Sequence, residues 1–226
     1  MIPLRDTVPS RRFPFVNLAL IGLNCLCFLF ELSLGDDLFS FIAIFGLVPA
    51  RFHPLSTAGV VPLFSSMFLH SSWLHLLGNM LFLYIFGDNV EDRLGHARYL
   101  FFYVLCGVAA GLAQVYAMAG ATIPMIGASG AIAGVSGAYF LFFPTARVVT
   151  LVPILFFFQI IEIPAVVFLL LWFLMQILYG LATGVGEGRA LGGVAWWAHV
   201  GGFLFGMLSA PLLAPRNHTP REAPRW

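Results

Sequence analysis

Six stretches of this chain are too apolar to face water, and most are long enough to cross a bilayer as helices. They run from about Phe13 to Leu34, Trp73 to Gly87, Arg98 to Ala119, Pro124 to Phe143, Pro164 to Leu181 and Val194 to Leu213. A hydrocarbon core of roughly 30 Å takes about 20 helical residues, whereas a barrel strand needs only about ten and alternates in polarity. The second run is short, so its helix is expected to continue into the polar turn Asp88–Arg93. Only 9% of the 226 residues are charged, against about 25% in soluble domains. The reading is an all-α membrane protein, a bundle of six transmembrane helices.

The segments between the runs set the organisation. Gly35 to Ser72 holds Asp36, Asp37, Arg51 and His53 but also many Phe and Leu, too apolar for a loop in water. It is expected to fold against the helices as a membrane-embedded first loop, as irregular backbone can when protein covers it. Val148 to Ile161 is apolar but interrupted by Pro153, and reads as an interfacial segment. Thr183 to Gly193 reads as a glycine-rich loop. With six spans, Arg5, Arg11, Arg12, Arg93, Arg98, Arg147, Arg216, Arg221 and Arg225 share one side, with Arg51 and Arg189 opposite. Basic residues favour the cytoplasmic side, so both termini are expected there. This gives a cytoplasmic segment 1–12, a six-span domain 13–213 and a cytoplasmic tail 214–226. The first run is too long for a signal peptide and lacks a cleavage site after it. Cys25, Cys27 and Cys106 all lie in apolar runs and read as buried apolar side chains. A net charge of +1 gives no field suited to nucleic acid.

Polar side chains inside spans are costly and invite a functional reading. His75 and Asn79, four residues apart, share one face of the second span. Ser129 lies in Gly127-Ala128-Ser129-Gly130 of the fourth, and His199 in the sixth. Ser129 falls about five residues into its span, roughly 8 Å deep at 1.5 Å per residue. His199 is at similar depth, and His75 and Asn79 bracket it. Gly130 and Gly134, with Gly202 and Gly206, give the fourth and sixth spans bare faces for close packing. The imidazole could then reach the serine hydroxyl and act as its base. No acid lies at that depth, so a Ser-His dyad is implied rather than a triad. The Ser129 N–H and the His75 and Asn79 side chains could receive an oxyanion. Taken singly, the glycines could serve only packing, and His75 and Asn79 could be interhelical hydrogen-bond glue. His70 reads as a loop anchor. His53, His96 and His218 fall in loops or the tail. A zinc site on His70, His75 and His199 is the metal alternative, but it lacks an acid to act as base; no metal or cofactor is expected.

These residues resemble a known pattern. His75-Leu76-Leu77-Gly78-Asn79, Gly127-Ala128-Ser129-Gly130 and Ala198-His199-Val200-Gly201-Gly202 with Gly206 are similar, in order, spacing and span, to the rhomboid family of intramembrane serine proteases. The resemblance runs from about Leu63 to Ser209. It implies Ser129 as nucleophile, His199 as base, and His75, Asn79 and Gly127 around the oxyanion. It implies transmembrane protein substrates cut near their outer ends after a small residue, and a multi-pass protein, expected here in the inner membrane of a prokaryotic cell. Many members carry Trp-Arg in the first loop, where Val61-Pro62 stands here. Some carry a tyrosine one turn after the nucleophile, where this chain has Ala133. The rival readings are a non-cleaving relative that binds transmembrane helices, and a transporter, which would want charges or broken helices at the midplane.

Overall fold

Two buried glutamates hold the ends of the first helix, α1 (Phe15–Ser33). A helix start leaves backbone N–H groups without acceptors and carries partial positive charge. At α1, Glu91 supplies the acceptor, taking the N–H groups of Val16 at 2.9 Å and Asn17 at 2.7 Å. Glu91 sits in the last turn of α4 (Trp73–Leu94), which does run through the polar stretch after Gly87. Asn17 then donates to the Leu83 carbonyl and accepts from Tyr99. At the other end, Glu31 accepts the N–H of His70, three residues ahead of α4. The two helices are thereby antiparallel. The structure is a computed structural model that describes residues 1–154, 157–183 and 194–215. The glycine-rich stretch 184–193, Arg189 and the tail from 216 lie outside the described residues.

Gly35–Ser72 folds into two short helices, α2 (Leu38–Phe45) and α3 (Thr57–Ser65), joined by 3-10 turns. Leu47 and Leu63 pack with Val115 of α5 (His96–Ala117), so the segment leans on the bundle as expected. Gly95, at φ +83°, breaks α4 from α5. His96, which reads as a loop residue in the sequence, begins α5 and bonds Glu91.

The fourth run differs from its expected form. Its helix, α6, spans Ser129–Phe142 and does not begin near Pro124. Ser129 is therefore the first residue of the helix, not a residue five positions inside it. Fourteen residues make about 21 Å of helix, short of a bilayer. The backbone before it is irregular and tied to the first loop. Leu47 and Met125 exchange two backbone hydrogen bonds, and the Gly127 N–H donates to Ser66. Every residue of α6 from Gly130 to Tyr139 is buried in protein. Among the described residues four helices are long and apolar enough to cross a membrane: α1, α5, α7 (Ala165–Ala182) and α8 (Trp196–Leu213). The sharply bent pair of Thr57–Phe68 with α4 makes a fifth candidate. The protein is a mostly helical, multi-pass membrane protein.

Bare backbone sets the approach of α6 to α8. A Cβ on Gly202 would strike the Gly130 carbonyl, one on Gly206 the Gly134 carbonyl, and one on Gly137 the Phe203 carbonyl. On its other side α6 meets α5, where a Cβ on Gly130 would press on Ala110 and one on Gly134 on Cys106. Contact without side chains lets two backbones share dispersion along their length, a main source of helix association in lipid.

The sequence reading contained no sheet, yet there is one. Arg147–Ile154 (β2) and Phe157–Pro164 (β3) form an antiparallel hairpin where an interfacial segment was expected, and Ile2–Asp6 (β1) adds to β2. The first residues are thus part of the fold. Asp6 accepts hydrogen bonds from Tyr139 of α6 and Asn89 of α4. Burial, with the Asp88 carboxylate nearby, pushes the Asp6 carboxyl up to about 6. A folded-state value above the unfolded one means stability that is whole below about pH 4 and lost as pH rises through about 6. The expected result is that Asp6→Asn flattens the pH dependence of stability between pH 4 and 7, by no more than about 3 kcal/mol. Hydrogen exchange of β1 in both proteins checks it; identical profiles would count against a buried, proton-holding Asp6.

Candidate active site

Three helix starts converge on Ser129. Ser72 caps α4 by accepting the His75 N–H at 3.2 Å, which fixes the first turn that carries His75. Gln114 of α5 caps α8, accepting the Ala198 N–H at 3.1 Å, which fixes the turn that carries His199. Ser129 opens α6, so its own N–H has no carbonyl one turn back to bond.

Ser129 Oγ lies 2.7 Å from His199 Nε2. The other ring nitrogen of His199, Nδ1, lies 2.8 Å from Gln176 Oε1 of α7. Gln176 Nε2 in turn donates to the Trp172 carbonyl at 2.9 Å. His199 is only 8% exposed and Gln176 5%. The Trp172 ring lies along the imidazole, centroids 5.7 Å apart, and Trp196 meets it edge-on. At Ala133 there is no ring to perform that contact; α7 provides one instead.

Gly127 faces His75 and Asn79. Its φ is +123°, and a Cβ there would come within 2.7 Å of His75 Nε2 and 3.6 Å of Asn79 Nδ2. Only glycine suits both the backbone and the space. The His75 Nδ1 is 3.2 Å from Ser71 Oγ, which leaves Nε2 facing Gly127. Asn79 Nδ2 donates to His70 Nε2 at 3.1 Å, and the second N–H of that amide is not committed by this bond. A recess of about 10 Å³ beside Ser129 is bounded by Gly107, Ala110, Gly130 and Ala198, with Met67 and Ile126.

The five residues singled out in the sequence, Ser129, His199, His75, Asn79 and Gly127, therefore stand around one point. His70 does anchor the loop, through its N–H to Glu31, but its buried ring also holds Asn79. The zinc reading fares poorly on geometry: both nitrogens of His199 are already engaged. Among the described residues no group of three or more His, Cys, Asp or Glu could hold a metal ion. Sequence reasoning passed over Gln176 and Gln114. Each is an amide in an apolar helix, a signal of an interhelical bond, but nothing in the chain's spacing names the partner.

Apolar helices gathered around a serine and a buried histidine at hydrogen-bond distance define a class of membrane protein. The Rhomboid domain model matches residues 57–216, about seven-tenths of the chain. The chain belongs to the rhomboid family. It is 28% identical over 175 residues to Rhomboid protein 1, mitochondrial, of Saccharomyces cerevisiae, covering 74% of this chain and 47% of that one. It is 37% identical over 70 residues to Rhomboid-like protein 11, chloroplastic, of Arabidopsis thaliana, covering 31% of this chain and 25% of the relative. The matches thus span less than half the length of either relative. Their names place those proteins in organelles and lend no support to the inner membrane of a prokaryote.

Proposed function

We propose that this protein is an intramembrane serine endopeptidase that cuts transmembrane segments of other proteins. The 2.7 Å contact between Ser129 Oγ and His199 Nε2 carries the reading. As Oγ bonds the substrate carbonyl carbon, its proton passes to Nε2 and the carbonyl electron pair moves onto oxygen. The imidazolium then returns that proton to the leaving nitrogen as the C–N bond breaks, leaving an acyl-enzyme on Ser129. Water, deprotonated by the same imidazole, then attacks the acyl carbon; the C–Oγ bond breaks, the imidazolium proton returns to Oγ, and the acid is released. The oxyanion would sit against Gly127, reached by the Ser129 N–H, the Asn79 amide and the His75 Nε2–H.

The recess walled by small residues suits a small side chain before the cut. A transmembrane helix hides its carbonyls in its own hydrogen bonds, so a segment with weak helix propensity unwinds into this site most readily. We place six spans in the membrane, with α6 as the fourth and both termini cytoplasmic. Supporting this, Arg11 and Arg12 approach Asp92 in the last turn of α4, and Arg5 stands on β1, whose Asp6 bonds Asn89 of the same helix. The domain limits 13–213 then set the catalytic unit, with β1 packed onto it. The lipid bilayer and membrane-spanning substrates are its partners. Co-reconstitution with a single-span model substrate, against Ser129→Ala, tests the reading: cleavage by the variant as well would favour the helix-binding, non-cleaving alternative with a contaminating protease.

A further inference from the structure

Resting on that reading, we propose that Gln176 is a positioning residue that completes the Ser129–His199 pair as a neutral third member. It fixes the imidazole tautomer from the side opposite the serine.

A neutral imidazole carries its proton on one nitrogen or the other, and only the form with a bare Nε2 can accept the serine proton. Among the described residues no acid bonds His199 to select that form, as one does in a Ser-His-Asp arrangement. Gln176 Oε1 takes its place, 2.8 Å from Nδ1. An amide can be turned to present either oxygen or nitrogen, so its direction needs a cause. The Trp172 carbonyl is that cause: it accepts from Gln176 Nε2 at 2.9 Å. Turned the other way, the amide oxygen would face that carbonyl oxygen and its NH2 would force the proton of His199 onto Nε2, disabling the base. A backbone carbonyl of α7 therefore sets the amide, the amide sets the tautomer, and the tautomer sets the base. Gln176 gains no proton in the reaction. Its oxygen also stabilises the imidazolium that forms when Nε2 takes the serine proton. The Trp172 ring, one helical turn from Gln176, holds the imidazole plane. Catalytic competence is in this way coupled to how α7 sits against α8.

The test is kinetics beside ¹⁵N NMR of histidine-labelled protein, with the His199 signals assigned by difference from His199→Ala. Wild type is expected to show His199 protonated at Nδ1. Gln176→Met keeps the bulk and removes the acceptor. Its kcat is expected to fall about 10–100-fold, the loss of a hydrogen bond to a charged group, with KM unchanged and the His199 signals split between tautomers. Gln176→Glu, charged or neutral, keeps an accepting oxygen and is expected to recover most of the lost turnover and the Nδ1–H form. A wild-type His199 protonated at Nε2 overturns the proposal, whether or not Gln176→Met folds. So does a Gln176→Met protein with normal kcat and an unchanged spectrum. Loss of the protease reading is distinct: it would show as full cleavage by Ser129→Ala or His199→Ala, whatever the Gln176 variants do.

Discussion

Ser129→Ala and His199→Ala are each expected to reduce cleavage of a single-span substrate to background, and the double variant to be no worse than either. A nucleophile and its base act as one unit, and in a soluble serine protease removing either costs about 10⁶-fold. The physical ground is that Ser129 and His199 face each other at hydrogen-bond distance within protein. The two substitutions should differ in their effect on folding. Ser129 Oγ has His199 as its partner and sits at a helix start, so alanine there removes little structure. His199→Ala leaves the Gln176 oxygen without its donor and opens space between Trp172 and Trp196, a destabilisation of about 1–3 kcal/mol. Turnover is therefore compared per folded molecule. Near-normal cleavage by folded Ser129→Ala would remove the nucleophile from the account.

Asn79→Ala and His75→Ala are expected to slow cleavage by up to about 10²–10³-fold without abolishing it, the cost of removing one oxyanion donor. Both side chains also make structural bonds, Asn79 to His70 and His75 to Ser71. Two consequences must then be separated. A donor role lowers kcat in molecules that remain folded. A purely structural role lowers melting temperature and the folded fraction, with normal turnover in what survives. His70→Ala serves as the comparison, because it frees Asn79 without removing it. A small kinetic effect there beside a large one in Asn79→Ala would separate holding the amide from being the amide. Large thermal shifts with unaltered kcat in both Asn79→Ala and His75→Ala would contradict the oxyanion assignment.

The site was more legible in the sequence than the fold around it. Ser129, His199, His75 and Asn79 stand out because a polar side chain in an apolar helix is expensive, and the glycines that bring α6 against α8 are visible at four-residue spacing. Gln176 is as polar and as buried, yet its partner depends on how α7 is rotated against α8, and that rotation is set by packing. The start of α6 is not legible in the sequence because Pro124–Ala128 is as apolar as the helix it precedes. The positive φ of Gly127 marks the boundary, but a glycine in a small-residue run gives no sign of its φ. The sheet escaped for two reasons. The strands of the β2–β3 hairpin lack the alternation that signals a half-buried strand, since Phe157, Phe158, Ile160 and Ile161 are all exposed. Pairing of β1 with β2 joins Ile2 to Leu151, a separation that no local pattern can encode. The burial of Glu91 and Glu31 follows only from the antiparallel seating of α1 on α4.

The most direct measurement is mass spectrometry of the protein after treatment with a serine-directed covalent inhibitor such as a fluorophosphonate. The hydroxyl of a serine is unreactive until a base withdraws its proton. The account therefore expects one adduct, on the peptide containing Ser129, formed by the wild type and lost in His199→Ala. An adduct on another residue, or labelling of Ser129 at the same rate without His199, would contradict it.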